Sequence, residues 1–253
     1  MSGATPILAG AEPFSALGTR TGVLVLHGLT GSPQSMRPLA EAFAGAGFTV
    51  ELPLLPGHGR HVDELKKTGW RDWLAAAEGA YADIAARCDR VFVAGLSMGG
   101  TLTAWLLTEH PEIAGAVLVN AAVEPAAAEF RSILEQTLEQ GIEVAPGIGS
   151  DIADPDAKEL AFEGLPIQAV LTLFEAQEAL APRLASVRSP LLVFTSRNDH
   201  VVPPTAGDYL AERVSGPAER VWLEKSFHVA TLDYDKDDIA QRAVAFVRSL
   251  DHD

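Results

Sequence analysis

A single cysteine, Cys88, in 253 residues leaves no partner for an internal disulfide and excludes a cysteine-based metal site. Cations are scarce. The 19 Lys and Arg stand against 34 Asp and Glu, and the formal charge of −15 argues against nucleic acid as a partner and against electrostatic capture by anionic lipid surfaces. No apolar run approaches the roughly 18 residues of a membrane-spanning helix, and no signal-type stretch opens the chain, so the expected setting is cytoplasmic. Internal repeats, low-complexity tracts, phosphate-binding glycine motifs and zinc-ligand spacings are missing as well. His58, Gly59, Arg60 and His61 with Asp63 form a histidine-rich stretch, but it lies in a Pro/Gly loop and reads as structural. No metal or cofactor is therefore expected. Strand and helix patterns alternate from Gly22 to Leu250 without a linker, so residues 1–253 read as a single domain, at 26.8 kDa long enough for a large core.

What is present centres on Gly95-Leu96-Ser97-Met98-Gly99. The pattern G-x-S-x-G is short, and it acquires chemical meaning only between a strand and a helix. Both flanks are here: Arg90-Val91-Phe92-Val93-Ala94 reads as a buried strand, and Gly100 to Glu109 is compatible with a helix. Small residues let the chain turn sharply and hold the Ser97 hydroxyl above the sheet, while the helix aims its N-terminal N–H groups at the same spot.

A nucleophilic serine needs a base, and the base needs an orienting acid. The run from Ser189 to Thr195 reads as a strand followed by a polar loop with Asp199, the candidate acid; Arg220 to Leu223 reads as a short strand followed by His228, the candidate base. The order Ser97, Asp199, His228 is that of a triad built on an α/β-hydrolase sheet, mostly parallel and flanked by helices. His200 is the rival base, but neighbours on a tight loop rarely turn their side chains toward each other. Of the other histidines, His58, His61, His110 and His252 read as surface or satisfied core residues, and His27 as one that fixes its loop. Asp233, Asp235, Asp237 and Asp238 read as the solvated start of the last helix. For the oxyanion, one backbone N–H is expected from Met98 and one from Leu29, in the loop His27-Gly28-Leu29-Thr30-Gly31 after the strand Val23 to Leu26.

The strand series is interrupted between Ala116–Asn120 and Pro190. Residues 124–180 carry twelve acidic side chains against two basic ones, and this is where hydrolases of this fold place a cap over the site. Phe130, Ile133, Leu134 and Leu138, then Ile167, Val170, Leu171 and Phe174, recur at helical spacing, and these faces are expected to pack largely onto the sheet domain. One apolar face and an acidic exterior suit a lipophilic, uncharged substrate.

The motifs resemble, nearly end to end, those of the bacterial monoacylglycerol lipases of the small α/β-hydrolase type, and are similar also to the compact thermophilic carboxylesterases. The matching stretches are Gly10-Ala11-Glu12-Pro13-Phe14, His27 to Gly31 through Ser35 to Ala40, Gly57-His58-Gly59, Gly95 to Thr101, Asp199 to Pro204 and His228 to Asp235. Within the insertion, Ile148-Gly149-Ser150-Asp151 and Pro155 to Leu160 resemble the monoacylglycerol enzymes in particular. The resemblance implies that Ile148 and Glu159 line the pocket for the glycerol part of the substrate. Leu29 departs from the pattern, since related chains often carry Phe there; the backbone donor survives and the acyl pocket is differently shaped. The implied partner is a small neutral lipid ester, with transient contact at a lipid surface. Oligomeric state is not legible. Three alternatives stand beside this reading: a broad carboxylesterase with the same triad, an acyl-CoA thioesterase, whose polyphosphate leaving group the acidic insertion would repel, and a non-catalytic hydrolase-fold ligand-binding protein.

Overall fold

A computed structural model describes residues 5–147 and 149–251. Its centre is a seven-stranded sheet in the order β1-β3-β2-β4-β5-β8-β9, formed by β1 (Phe14–Ala16), β2 (Thr21–Leu26), β3 (Thr49–Leu52), β4 (Arg90–Leu96), β5 (Gly115–Val119), β8 (Leu191–Ser196) and β9 (Ala218–Leu223). Only β1 runs antiparallel to its neighbour; all other pairs are parallel. Strands covered on both faces must be apolar at every position, and β2, β4, β5 and β8 are nearly continuous runs of Val, Leu, Ala and Phe.

Alternate residues of each strand feed two separate cores. Leu24, Leu26, Val93, Leu118 and Val193 pack with helices α3 (Trp70–Ala85) and α4 (Met98–Glu109), around the fully buried Trp73. Val23, Val25, Phe92, Val117 and Phe194 pack on the opposite face with α1 (Pro33–Gly45) and α8 (Lys236–Leu250). A short helix α2 (Val62–Leu65) and α7 (Thr205–Arg213) complete the body.

Between β5 and β8 lies the acidic insertion. It consists of α5 (Ala128–Glu139), a small hairpin β6 (Val144–Pro146) with β7 (Gly164–Pro166), and α6 (Ile167–Leu180), followed by a 3-10 turn, Ala181–Ser186. The apolar faces read from the sequence divide unequally. Helix α6 is apolar over most of its circumference: Ala169, Leu173, Ala176 and Leu180 join the main core, while Val170, Leu171 and Phe174 form a separate cluster with Ile167 and Leu134. On α5 only Leu134 is buried; Phe130 and Ile133 are exposed, against the expectation that they face inward. The reason is that α5 meets the molecule through one narrow stripe, whereas α6 is sandwiched between α5 and the main body.

Candidate active site

The parallel strands all end on one side of the sheet, and the residues singled out in the sequence lie in the loops that leave those ends. Ser97 sits directly between β4 and α4 with φ 54° and ψ −118°. A side chain other than glycine pays about 1–3 kcal/mol to hold such a backbone, so the turn persists only because its surroundings fix it. They do so through hydrogen bonds: Ser97 N–H donates to Val119 O at 3.1 Å, and the Ser97 carbonyl accepts from Gly100, Thr101 and Ala122 N–H. The turn is also too tight for side chains around it. A methyl group on Gly99 would lie 2.1 Å from the Leu26 carbonyl oxygen, so β2 and α4 could not both stay in place.

Asp199 and His228 come together from the loops after β8 and β9. His228 Nδ1 is 2.8 Å from Asp199 Oδ2, and both side chains are nearly fully buried. The other oxygen of Asp199 accepts from Val201 and Val202 N–H, each at 2.8 Å, which turns the carboxylate and leaves Oδ2 for the imidazole. Burial alone would push the His228 pKa down. Asp199 outweighs it by charge and hydrogen bond, Glu159 and Asp151 add to the same effect, and the net direction is upward from 6.5. His200, the rival, turns away from Asp199: its ring is half exposed, and its Nδ1 pairs at 2.8 Å with Asp151.

Leu29 and Met98 flank the serine. Met98 opens α4, where helix geometry leaves the N–H without an intrahelical acceptor. The loop carrying Leu29 runs against the elbow; a methyl group on Gly28 would stand 3.3 Å from Ser97 Cβ. His27 fixes that loop from behind. It is fully buried, its Nε2 accepts from Leu55 N–H at 3.1 Å and its Nδ1 lies 2.9 Å from Gly28 O, so the tautomer that satisfies both is Nδ1–H. Desolvation holds its pKa at about 4 and that of the edge-packed His58 at about 3, so both rings are neutral at ordinary pH.

Glu159 belongs to the insertion yet reaches the same place. A methyl group on Gly31, at the end of the oxyanion loop, would meet Glu159 Oε1 at 2.6 Å. Gln34 of α1 grips the backbone on both sides of it, donating to Lys158 O and accepting from Leu160 N–H, and Ser150 Oγ accepts from Glu159 N–H. The carboxyl is nine-tenths buried, and desolvation raises its pKa to about 7 against the opposing pulls of His228 and Ser35. Ile148 and His252 lie outside the described residues.

Four further residues join the site without having been singled out for it. Asn120, at the end of β5 with φ 44°, donates through Nδ2 to His228 O at 2.8 Å and to Ser196 Oγ, and accepts from Ser196 N–H. Its place at a strand end was the signal available. Asp233 is not solvated, as the charged stretch suggested: it is fully buried and accepts N–H bonds from Ala153, Asp154, Phe227 and Tyr234. Asp235 likewise caps Lys225 and Ser226 N–H. Asp151 bonds to both the acid and base loops. Nothing in a single sequence distinguishes such carboxylates from surface ones.

A strained serine at a strand-to-helix turn, a buried His–Asp pair and a backbone loop beside the serine are what acyl transfer needs. The profile of the serine aminopeptidase S33 family (Hydrolase_4) matches residues 18–235. The chain belongs to this hydrolase family. It is 45% identical over 247 residues, 97% of this chain and 98% of the relative, to a thermostable monoacylglycerol lipase of Bacillus sp. (strain H-257). It is 26% identical to a carboxylesterase of Bacillus subtilis (strain 168), covering 95% of this chain and 97% of that one. Among solved structures, one from the study of LipS and LipT, two metagenome-derived lipolytic enzymes, superposes with a TM-score of 0.92 at 43% identity, covering 96% of this chain and 100% of the other. The fold is that of the α/β-hydrolases, with the mostly parallel sheet expected from the sequence.

Proposed function

We propose that this chain is a serine hydrolase that cleaves monoacylglycerols to fatty acid and glycerol, with Ser97 as nucleophile, His228 as general base and acid, and Asp199 as its orienting partner. The 124–180 insertion acts as the cap of a single hydrolase domain. Ser97 Oγ attacks the ester carbonyl as neutral His228 takes its proton; Asp199 holds the tautomer and stabilises the imidazolium. The N–H groups of Leu29 and Met98 receive the oxyanion. His228 then gives its proton to the leaving glycerol oxygen, and water, activated by the same imidazole, releases the fatty acid from Ser97.

The observation that carries the substrate assignment is Glu159, a buried carboxyl between the oxyanion loop and the base, on a chain 45% identical to a monoacylglycerol lipase. A carboxyl near half-titration both accepts and donates hydrogen bonds, which matches the two free hydroxyls of a glycerol leaving group. Glu159 forms the alcohol side of the pocket; Ile148, which the resemblance assigns to the same side, lies outside the described residues. A substrate without hydroxyls leaves Glu159 unpaired, and that penalty is the source of selectivity. A cytoplasmic setting is part of the proposal, and the free, buried thiol of Cys88 is compatible with it.

The broad carboxylesterase is the competing reading, favoured by the likeness to the Bacillus subtilis enzyme. A 1-monoacylglycerol and the ethyl ester of the same acid separate the two. We expect kcat/KM about ten-fold or more higher for the monoacylglycerol, the scale of one hydrogen bond to a charged group. Equal values would leave the carboxylesterase.

A further inference from the structure

Asp151 stands in the insertion, eight residues before Glu159, yet among the described residues its hydrogen bonds go to the catalytic loops. Its carboxylate Oδ2 accepts from His228 N–H at 3.1 Å and from His200 N–H at 3.2 Å, its Oδ1 pairs with His200 Nδ1 at 2.8 Å, and its own carbonyl accepts from Val229 N–H at 3.0 Å. One side chain therefore grips the residue after Asp199 and the backbone of His228 at once. The other end of the His228 peptide is held by Asn120, which donates to His228 O at 2.8 Å. The imidazole thus hangs from a backbone anchored on one side by the body and on the other by the insertion. Next to Asp151, Ser150 Oγ accepts from Glu159 N–H at 3.1 Å. Two successive residues link the alcohol side of the site to the base.

We propose that Asp151 is a positioning residue for His228, setting the base in register with both Asp199 and the insertion, and that its charge helps hold the imidazolium formed during turnover. The charged groups facing His228 are Asp199 from the loop after β8, and Glu159 and Asp151 from the insertion. His200 faces Asp151 on its solvent side, with its ring against Phe227 at 4.6 Å between centroids. Asp233 lies behind the same loop, its charge taken up by four backbone N–H groups. Removing Asp151 frees the His228 backbone to shift. Reacting geometry is steep enough that a displacement of about 1 Å costs on the order of 100-fold in rate.

This assignment rests on His228 being the base, and the test keeps the two apart. Asp151→Ala, Asp151→Asn, His200→Ala and His228→Ala are assayed on one p-nitrophenyl ester for kcat, KM and the pH dependence of kcat/KM, with unfolding midpoints alongside. Asp151→Ala is expected to lower kcat by about 10- to 100-fold with KM within about two-fold. Asp151→Asn keeps an oxygen for the two backbone N–H groups, so it restores most of kcat while moving the acid limb of the profile to lower pH. His200→Ala leaves the bond to His228 in place and costs less than Asp151→Ala. An Asp151→Ala enzyme with normal kcat, or an Asp151→Asn enzyme with an unmoved acid limb, would overturn the role of Asp151 even if the alanine variant folds poorly. An active His228→Ala enzyme would instead remove the base assignment itself.

Discussion

As the proposed triad, Ser97, His228 and Asp199 would act as a unit, so their loss is not expected to be additive. Ser97→Ala is expected to lower ester hydrolysis by on the order of 10⁴-fold or more with the fold intact, and His228→Ala about as much. His200→Ala should be far milder, because that ring pairs with Asp151 rather than with Asp199. Steady-state rates on a soluble ester rank the three. Because the imidazole must be neutral to accept the serine proton, and its pKa is lifted above 6.5 by Asp199, Glu159 and Asp151 against the effect of burial, kcat/KM should rise with pH through a value above 6.5. A profile flat from about pH 5 to 8 would contradict the assigned base. Glu159 titrates in the opposite sense for stability. Its folded pKa of about 7 exceeds the ordinary 4.5, so the native state holds a proton that the unfolded chain releases between those values, and stability declines as pH rises through that window. Glu159→Gln stays neutral throughout. Its Tm should match wild type near pH 4.5 and exceed it at pH 8, while kcat/KM for a 1-monoacylglycerol falls by about 1–3 kcal/mol and that for a matched p-nitrophenyl ester hardly changes.

At the scale of elements, the turn after β4 and the loop after β9 hold the site. In the elbow, Gly99→Ala places a methyl group against the Leu26 carbonyl, and the variant should lose the fold or most of its activity. In the loop, Asp233→Asn turns an amide donor toward N–H groups that now find a carboxylate, and should destabilise by about 3 kcal/mol or more. Chemical unfolding of each variant measures the loss, and a change under about 0.5 kcal/mol, typical of surface positions, would mean the four bonds matter little. These two loops also show what a sequence displays and what it conceals. The elbow is visible because its chemistry demands small residues at fixed offsets between two periodic elements. The parallel strands are visible because burial on both faces requires unbroken apolar runs. Asp233 and Asp151 are invisible, because a carboxylate that caps backbone N–H groups has the same letter as one in water, and only tertiary placement tells them apart. Phe130 and Ile133 misled in the other direction: helical spacing marks a face that can be buried, and α5 buries only the part around Leu134.

The whole molecule carries −15, with twelve acidic residues against two basic ones in the insertion. A neutral ester feels little of this field, whereas a coenzyme A thioester, with its polyphosphate, is repelled. Turnover of a monoacylglycerol below its aggregation threshold should therefore vary little between about 0.01 and 0.15 M salt, while any acyl-CoA hydrolysis stays poor and improves as the Debye length falls from about 30 to 8 Å. Acyl-CoA hydrolysis as fast as that of a monoacylglycerol at low salt would speak for a thioesterase. The same scale separates a catalyst from a ligand-binding protein of this fold, since only the catalyst brings the strained serine, the base and the oxyanion donors into one working group. The most direct measurement is stoichiometric labelling with a fluorophosphonate, followed by intact mass, peptide mapping and assay of the same sample on a 1-monoacylglycerol. The account predicts one adduct per chain, on Ser97, no adduct in Ser97→Ala, and activity that falls in proportion to labelling. A fully labelled protein that still hydrolyses the monoacylglycerol, or a label on another residue that abolishes activity, would contradict it.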